Sequence, residues 1–269
     1  MYPFFDLFGR QIPLYGVMCV VAAFVSVGFA VARAKRFGVD SRDALYMCIF
    51  AIIGAIAGAK AVAALVFLAQ AVLHMREIAE AGFGLWDVFY NAFASTGIVF
   101  FGGLIGGAIG GVVYLKKYKL RLPVFFDLAA PCIPVAHAIG RIGCFLAGCC
   151  YGIESRWGVE FANSPAAPPH VRLLPVQLIE ADANLCLAAI ILIYERLRGE
   201  KNGGKGKNLL LYLVLYPISR FTLEFLRGDA ARGLYFGIST SQIISIVIFV
   251  PAIYLFFFNN RKGKNIYGR

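Results

Sequence analysis

The sequence predicts an all-α integral membrane protein of about seven transmembrane helices, with its N-terminus outside and its C-terminus cytoplasmic. Three observations carry that expectation. Hydrophobic residues make up 60% of the 269 residues and charged residues 15%, and mean hydropathy is +0.74, against roughly 45–50% apolar and 25% charged in a soluble domain. No water-soluble interior of this size hides so much apolar side chain, so a bilayer takes it up. Apolar runs near the ~20 residues needed to span recur along the chain, and Lys and Arg collect between alternate runs.

The elements follow in order. A first run, about 14–31, stops at Arg33, Lys35 and Arg36. The second, 44–73, is rich in Ala and Gly and contains Lys60. Residues 74–91 are mixed, with Arg76, Glu77, Glu80 and Trp86, and read as an interfacial helix or loop. The third run, 96–115, stops at Lys116, Lys117 and Lys119. The fourth, 124–150, is interrupted by Pro131, Pro134, His137 and Arg141. A polar, proline-rich stretch, 152–175, reads as an external loop. The fifth run, 178–194, ends in Arg196, Arg198, Lys201, Lys205 and Lys207, with Gly203 and Gly204 among them. The sixth, 209–226, contains Arg220 and Glu224, and the seventh, 236–258, ends at Arg261, Lys262 and Lys264. No repeat of fixed period and no soluble domain interrupts this single polytopic domain.

Orientation follows from the basic residues. Of 26 Lys and Arg, 17 lie after runs one, three and five and in the C-terminal tail. Six lie on the opposite side: Arg10, Arg76, Arg156, Arg172, Arg227 and Arg232. That bias places the first group in the cytoplasm, and seven helices make the parity work. The aromatic N-terminus has no basic region ahead of its apolar run, so no cleavable signal peptide is expected. The net charge of +11 falls in short clusters between apolar runs, which suits an anionic membrane face and speaks against nucleic acid as a partner. Seven cysteines are an odd count, mostly within apolar runs, where free cysteine packs as a small hydrophobe.

Ionisable groups within a span cost at least ~2.5–3.5 kcal/mol and read as functional by default. Arg141 stands in HAIGRIGCFLAGCCYG, where Gly140, Gly143 and Gly148 allow close approach. Its planar fork suits phosphate oxygens; the alternative is a partner for a buried carboxylate or for helix-end carbonyls. Tyr216, Arg220, Glu224 and Arg227 are spaced four, four and three apart, hence on one helix face. Arg220 and Glu224 either neutralise each other or, with Arg141, Arg227 and the Tyr216 hydroxyl, bind a phosphodiester from the outer leaflet. The glycine-dense GIVFFGGLIGG, 97–107, favours tight helix contact or a broken helix. Tyr15 beside Gly16 resembles an interfacial belt tyrosine. Lys60 pairs a lipid phosphate or snorkels. His137, four residues before Arg141, is a core histidine or a proton acceptor. Cys144, Cys149 and Cys150 lack the C-x2-C spacing and nearby histidines of a metal site, so helix packing is expected, with a disulfide as the alternative and no metal.

With LYGVM at 14–18, FFGGLIGG at 100–107, PVQLIEA at 175–181, YPISRFTLEFLRGD at 216–229 and SQIISI at 241–246, the chain resembles the prolipoprotein diacylglyceryl transferase family over nearly its whole length. The resemblance implies a multi-pass enzyme of the bacterial cytoplasmic (inner) membrane. It would transfer the diacylglyceryl group of phosphatidylglycerol to the lipobox cysteine thiol following a prolipoprotein signal peptide, releasing glycerol phosphate without a cofactor. It implies Arg141 and Arg220 as phosphate-binding groups, Tyr15 and Tyr216 lining the site, and Glu224 and Arg227 organising it. Gly143, Gly148 and Gly152 would shape the signature loop, and the ligand would also meet Lys60, Phe101, Gly102, Gly103 and Cys144. The chain departs from the family where many members have a histidine before GGL, here Phe101, and where the signature has asparagine and glutamate, here Cys144 and Cys149. Phe101 accepts no proton, so Arg141 and Arg220 would favour the thiolate electrostatically, with His137 or Glu224 as reserve base. Those departures also admit a paralogous transferase that uses an anionic phospholipid with another acceptor. Two other classes predict different features: a lipid transporter would show internal pseudo-repeats, and a scaffold would leave Arg141 and Arg220 without a role.

Overall fold

A computed structural model describes residues 3–75, 84, 86, 88, 90, 99–164, 166–199, 205–228, 234–235 and 238–258. The order is β1 (Phe4–Leu7), β2 (Arg10–Pro13), α1 (Leu14–Ala34), α2 (Ser41–Leu73), α3 (Phe100–Lys117), α4 (Leu122–Ala129), α5 (Cys132–Ala147), β3 (Glu154–Glu160), β4 (Arg172–Leu173), α6 (Val176–Arg198), α7 (Lys207–Leu223), β5 (Leu234–Tyr235), β6 (Ile238–Ser239) and α8 (Thr240–Phe258). Two compact units form: Met1–Gly38 with Pro123–Arg269, and Val39–Leu122.

Among the described residues six helical stretches are long and apolar enough to cross a membrane: Leu14–Phe37, Ser41–Leu73, Leu122–Ala147, Val176–Arg198, Lys207–Leu226 and Thr240–Phe258. From Phe100 on, the third expected run is the continuous helix α3, whose 18 residues include six glycines and the terminal Lys116 and Lys117, which dilute its hydropathy. The fourth expected run is two helices, because Pro131 has no N–H to continue α4 and instead opens α5. The all-helical expectation needs one change. Among the described residues three two-stranded antiparallel sheets form, β1–β2 ahead of α1 and β3–β4 and β5–β6 between helices, where backbone groups outside helices still require partners. The expected external loop 152–175 therefore carries β3 and β4. Arg76, Glu77, Glu80, Lys201, Gly203, Gly204, Arg232, Arg261, Lys262 and Lys264 lie outside the described residues.

In the first unit α5 packs on α1 and α6, and α7 packs on α6 and α8. Where α1 and α6 end and α7 begins, a polar knot fastens four helices. Arg33, read from sequence as a loop charge, is 8% exposed. Its Nη2 pairs with Glu195 Oε2 at 2.5 Å, its Nη1 donates to the Leu128 carbonyl at 2.8 Å, and Phe29 and Phe37 lie against its guanidinium. Arg36 reaches the other Glu195 oxygen at 3.3 Å, and Asn208 Nδ2 donates to Glu195 Oε2 at 2.7 Å. Asp127 of α4, fully buried, accepts the backbone N–H groups of Lys205, Gly206 and Asn208 at 3.0, 3.1 and 2.7 Å. It thereby satisfies the otherwise orphaned donors at the start of α7. Lys207, also read as a loop charge, is buried at that helix start, and its Nζ donates to the Phe256 carbonyl at 2.7 Å.

The second unit is an antiparallel pair, α2 on α3, built on small residues. Gly54 and Gly58 of α2 face Gly102, Gly106 and Gly110 of α3. A methyl group on Gly106 would stand 2.9 Å from the Gly58 Cα, and one on Gly110 would stand 3.3 Å from the Gly54 Cα. Four-residue spacing of glycine on both helices lets the backbones touch, which is how helices associate where lipid removes the hydrophobic drive. Of the two readings of the glycine-dense run, tight helix contact is the one observed. The Tyr114 hydroxyl closes the pair by donating to Asp43 Oδ1 at 2.9 Å.

Candidate active site

The site forms in the first unit, where α5 and α7 end and α6 and α8 begin. The reason is local. Gly148 takes φ +70 and ends α5 by donating its N–H to the Cys144 and Phe145 carbonyls, a left-handed cap that glycine adopts without strain. The chain then folds back so that Gly152 meets two strangers. Its N–H donates to the Leu174 carbonyl at 2.9 Å, and it pairs as an isolated antiparallel bridge with Arg227. Ile153 N–H donates to the Leu226 carbonyl at 2.9 Å and Gly228 N–H to the Tyr151 carbonyl at 3.1 Å. A Cβ at Gly152 would lie 2.7 Å from the Leu174 oxygen and 2.8 Å from the Leu226 oxygen, so no larger residue fits. This backbone knot holds the end of α5 against the chain leaving α7.

Inside it, three helices converge on one carboxylate. Glu180 of α6, 3% exposed, pairs through Oε2 with Arg141 Nε of α5 and through Oε1 with Arg220 Nη1 of α7 at 2.5 Å. Arg220 Nη2 also meets Glu224 Oε2 at 2.8 Å and donates to Ser241 Oγ of α8 at 3.1 Å. Both alternatives left by the sequence are thus realised: Arg141 does partner a buried carboxylate, and Arg220 does pair with Glu224. Neither pairing exhausts the donors. Each guanidinium has five N–H groups, and among the described residues Arg141 engages a partner through Nε. Arg227 is within electrostatic range of Arg141 and Tyr216, so it adds a third cation to a cluster that holds the two carboxylates Glu180 and Glu224. The excess positive charge and the N–H groups beyond those used suit an anion with several oxygens.

The remaining expected residues divide by unit. The His137 and Tyr216 rings are 5.5 Å apart, and Tyr216 stacks on Tyr212 at 5.3 Å; His137 is within electrostatic range of Arg141 and Arg220. Gly143 seats α1, since a Cβ there would stand 2.9 Å from Met18 Cβ and 3.4 Å from the Tyr15 ring. Tyr15 therefore stands at the wall of this cluster. Glu224 lies in a short turn of 3-10 helix, Glu224–Leu226, and Arg227 beyond it, so the four-residue motif leaves the α-helix after Leu223 instead of continuing on one face. Cys144, Cys149 and Cys150 bring their sulphurs within 4.8 Å of one another. Lys60, Phe101, Gly102 and Gly103 belong to the second unit, where Gly102 and Gly103 contact α2. Sequence reasoning missed Glu180, Ser241 and Gln177, whose Nε2 donates to the Cys149 carbonyl at 2.8 Å. A signal for Glu180 was present: an acid in an apolar run is as costly as a base, and two basic residues within spans need counter-charges.

The family described as Prolipoprotein diacylglyceryl transferase matches residues 3–258. The chain is 36% identical over 254 residues to the phosphatidylglycerol–prolipoprotein diacylglyceryl transferase of Clostridium tetani (strain Massachusetts / E88), covering 94% of this chain and 95% of that one. It is 33% identical over 261 residues to the second such transferase of Clostridium perfringens (strain 13 / Type A), covering 96% and 95%. With the corresponding protein of Campylobacter curvus (strain 525.92) the figures are 30% over 262 residues, 94% and 92%.

Proposed function

The chain belongs to the prolipoprotein diacylglyceryl transferase family, and from that premise we propose that it transfers the diacylglyceryl group of phosphatidylglycerol to the lipobox cysteine thiol of a prolipoprotein. The observation that carries the reading is the sharing of Glu180 by Arg141 and Arg220, which holds two guanidiniums side by side in an apolar setting with N–H donors to spare. The thiolate sulphur attacks the glyceryl carbon that bears the phosphate. A sulphur–carbon bond forms, the carbon–oxygen bond breaks, and glycerol phosphate leaves with the bonding electrons. Charge grows on the departing phosphate, where Arg141 and Arg220 stabilise it. Arg227 adds to the same positive field, and Tyr15 and Tyr216 line the site.

The thiol must lose its proton, and a free thiol near pKa ~8.5 is only a few per cent ionised at neutral pH. The positive field favours the thiolate. Glu224 accepts a proton only by giving up its ion pair with Arg220, and His137, one helical turn from Arg141, only against the field of Arg141 and Arg220, so either is a reserve base and the field on the thiolate carries the step. Gly143, Cys144, Gly148 and Gly152 complete the first unit's binding region in this reading. α3 is the seventh span of a multi-pass protein of the bacterial inner membrane, N-terminus outside and C-terminus cytoplasmic, and the clustering of Lys and Arg supports that orientation. The site then opens to the outer leaflet, where a signal peptide presents its cysteine.

Purified protein in detergent, given phosphatidylglycerol and a lipobox peptide, tests the proposal. Glycerol phosphate release and a peptide mass gain are expected, both lost in Arg141→Ala and Arg220→Ala. Phospholipid binding without peptide modification by the wild type would refute the acceptor and point to a related transferase with another one.

A further inference from the structure

Three thiols cluster in this site, and the reaction above uses none of them as nucleophile, acid or base. Cys144 lies in the last turn of its helix, three residues after Arg141, and Cys149 and Cys150 follow the Gly148 cap; their sulphurs lie within 4.8 Å of one another. The turn that gathers them is held from three directions. Cys149 N–H donates to the Cys144 carbonyl at 3.1 Å, Ser164 Oγ donates to the Gly148 carbonyl at 2.9 Å, and Gln177 Nε2 holds the Cys149 carbonyl. The Gln177 amide is fully buried and its Oε1 meets no donor among the described residues. Cys150 takes φ +59, a left-handed conformation that costs a non-glycine residue about 1–2 kcal/mol and that persists where surrounding structure imposes it. Cysteine packing alone needs no such residue.

We propose that Cys144, Cys149 and Cys150 form a trithiolate site for a soft, thiophilic metal ion of the Zn2+ or Cu+ class. An ion among three sulphurs no more than 4.8 Å apart stands at most about 2.8 Å from each, so a closure of no more than roughly half an ångström reaches the ~2.3 Å of a zinc–thiolate bond. Sulphur ligands alone, with no carboxylate in the set, select soft ions over magnesium or calcium. Each S–H releases its proton to solvent as its sulphur–metal bond forms. Three thiolates around a divalent ion carry one net negative charge, and Arg141, within electrostatic range of Cys144 and Cys150, compensates it. The proposal does not rest on the transferase reading.

The test titrates the purified, fully reduced chain in detergent with Cd2+, following the ultraviolet sulphur-to-cadmium charge-transfer band, with Zn2+ as competitor. The band is expected to saturate at one ion per chain, to vanish in Cys144→Ser, Cys149→Ser and Cys150→Ser, and to survive in Cys48→Ser and Cys186→Ser. Lack of a saturable band, or its persistence in any of the first three variants, overturns the proposal. Should a serine variant fail to fold, alkylation of the wild type decides: bound Cd2+ must shield Cys144, Cys149 and Cys150 from maleimide, mapped by peptide mass, and equal labelling with and without Cd2+ overturns the site.

Discussion

Glu180→Gln is the most informative single change, because it preserves shape while removing the charge that two arginines share. At an effective dielectric of about 20 and a separation of about 4 Å, each Arg–Glu pair is worth ~4 kcal/mol before desolvation. Measured losses on breaking a buried pair run about 3–5 kcal/mol. The lower half of that range applies here, since glutamine keeps an acceptor oxygen and Glu224 still holds Arg220 at 2.8 Å. Arg141 has no such second carboxylate among the described residues, so its guanidinium is the one that moves. A displacement of about 1 Å at a reacting group costs on the order of a hundredfold in rate. The variant is therefore expected to melt at lower temperature in detergent and to lose about a hundredfold in kcat. KM for phosphatidylglycerol should stay level or fall, because a competing anion has left the arginines. Steady-state kinetics on the folded fraction, with glycerol phosphate as the readout, separates these effects. Wild-type melting together with kcat within threefold of wild type would refute Glu180 as the group that positions Arg141 and Arg220.

Two further expectations concern the scaffold. Gly152→Ala forces a methyl group against the Leu174 and Leu226 carbonyl oxygens and should destabilise by about 1–3 kcal/mol, whereas Gly140→Ala, with nothing within 4 Å of its added Cβ, should melt like wild type; equal melting of the two variants would remove the backbone knot from the account. Asp127→Asn places an amide N–H against a ring of backbone donors and should cost about 1–3 kcal/mol, seen as a lower melting temperature with unchanged kcat per folded molecule; a fall in kcat at unchanged melting would contradict a purely structural role.

Much of this protein was legible in the chain because the bilayer imposes local rules. Whether residues 176–198 form a helix depends on their own apolar content and backbone satisfaction, so expected and observed helices differ mainly at their ends. Arg141 and Arg220 stood out for the same reason: a charge in an apolar run is costly wherever its partner lies. Their partner was not legible, since Glu180 meets Arg141 across 39 positions of sequence and Arg220 across 40, and no spacing rule links residues on separate helices. Arg33 and Lys207 were misplaced because a basic residue at the end of a run reads as a solvated stop until a second helix supplies Glu195 or the Phe256 carbonyl. The glycines of α3 left two readings open, and α2 decided between them by presenting Gly54 and Gly58 at the matching spacing. The thiols of Cys144, Cys149 and Cys150 fit no ligand spacing on paper; the left-handed turn at Gly148 and Cys150 and the side chains that hold it bring them together. Local composition determined which segments are helices and which charges matter, while tertiary structure decided what each charge, glycine and thiol faces, because facing depends on how separate helices pack.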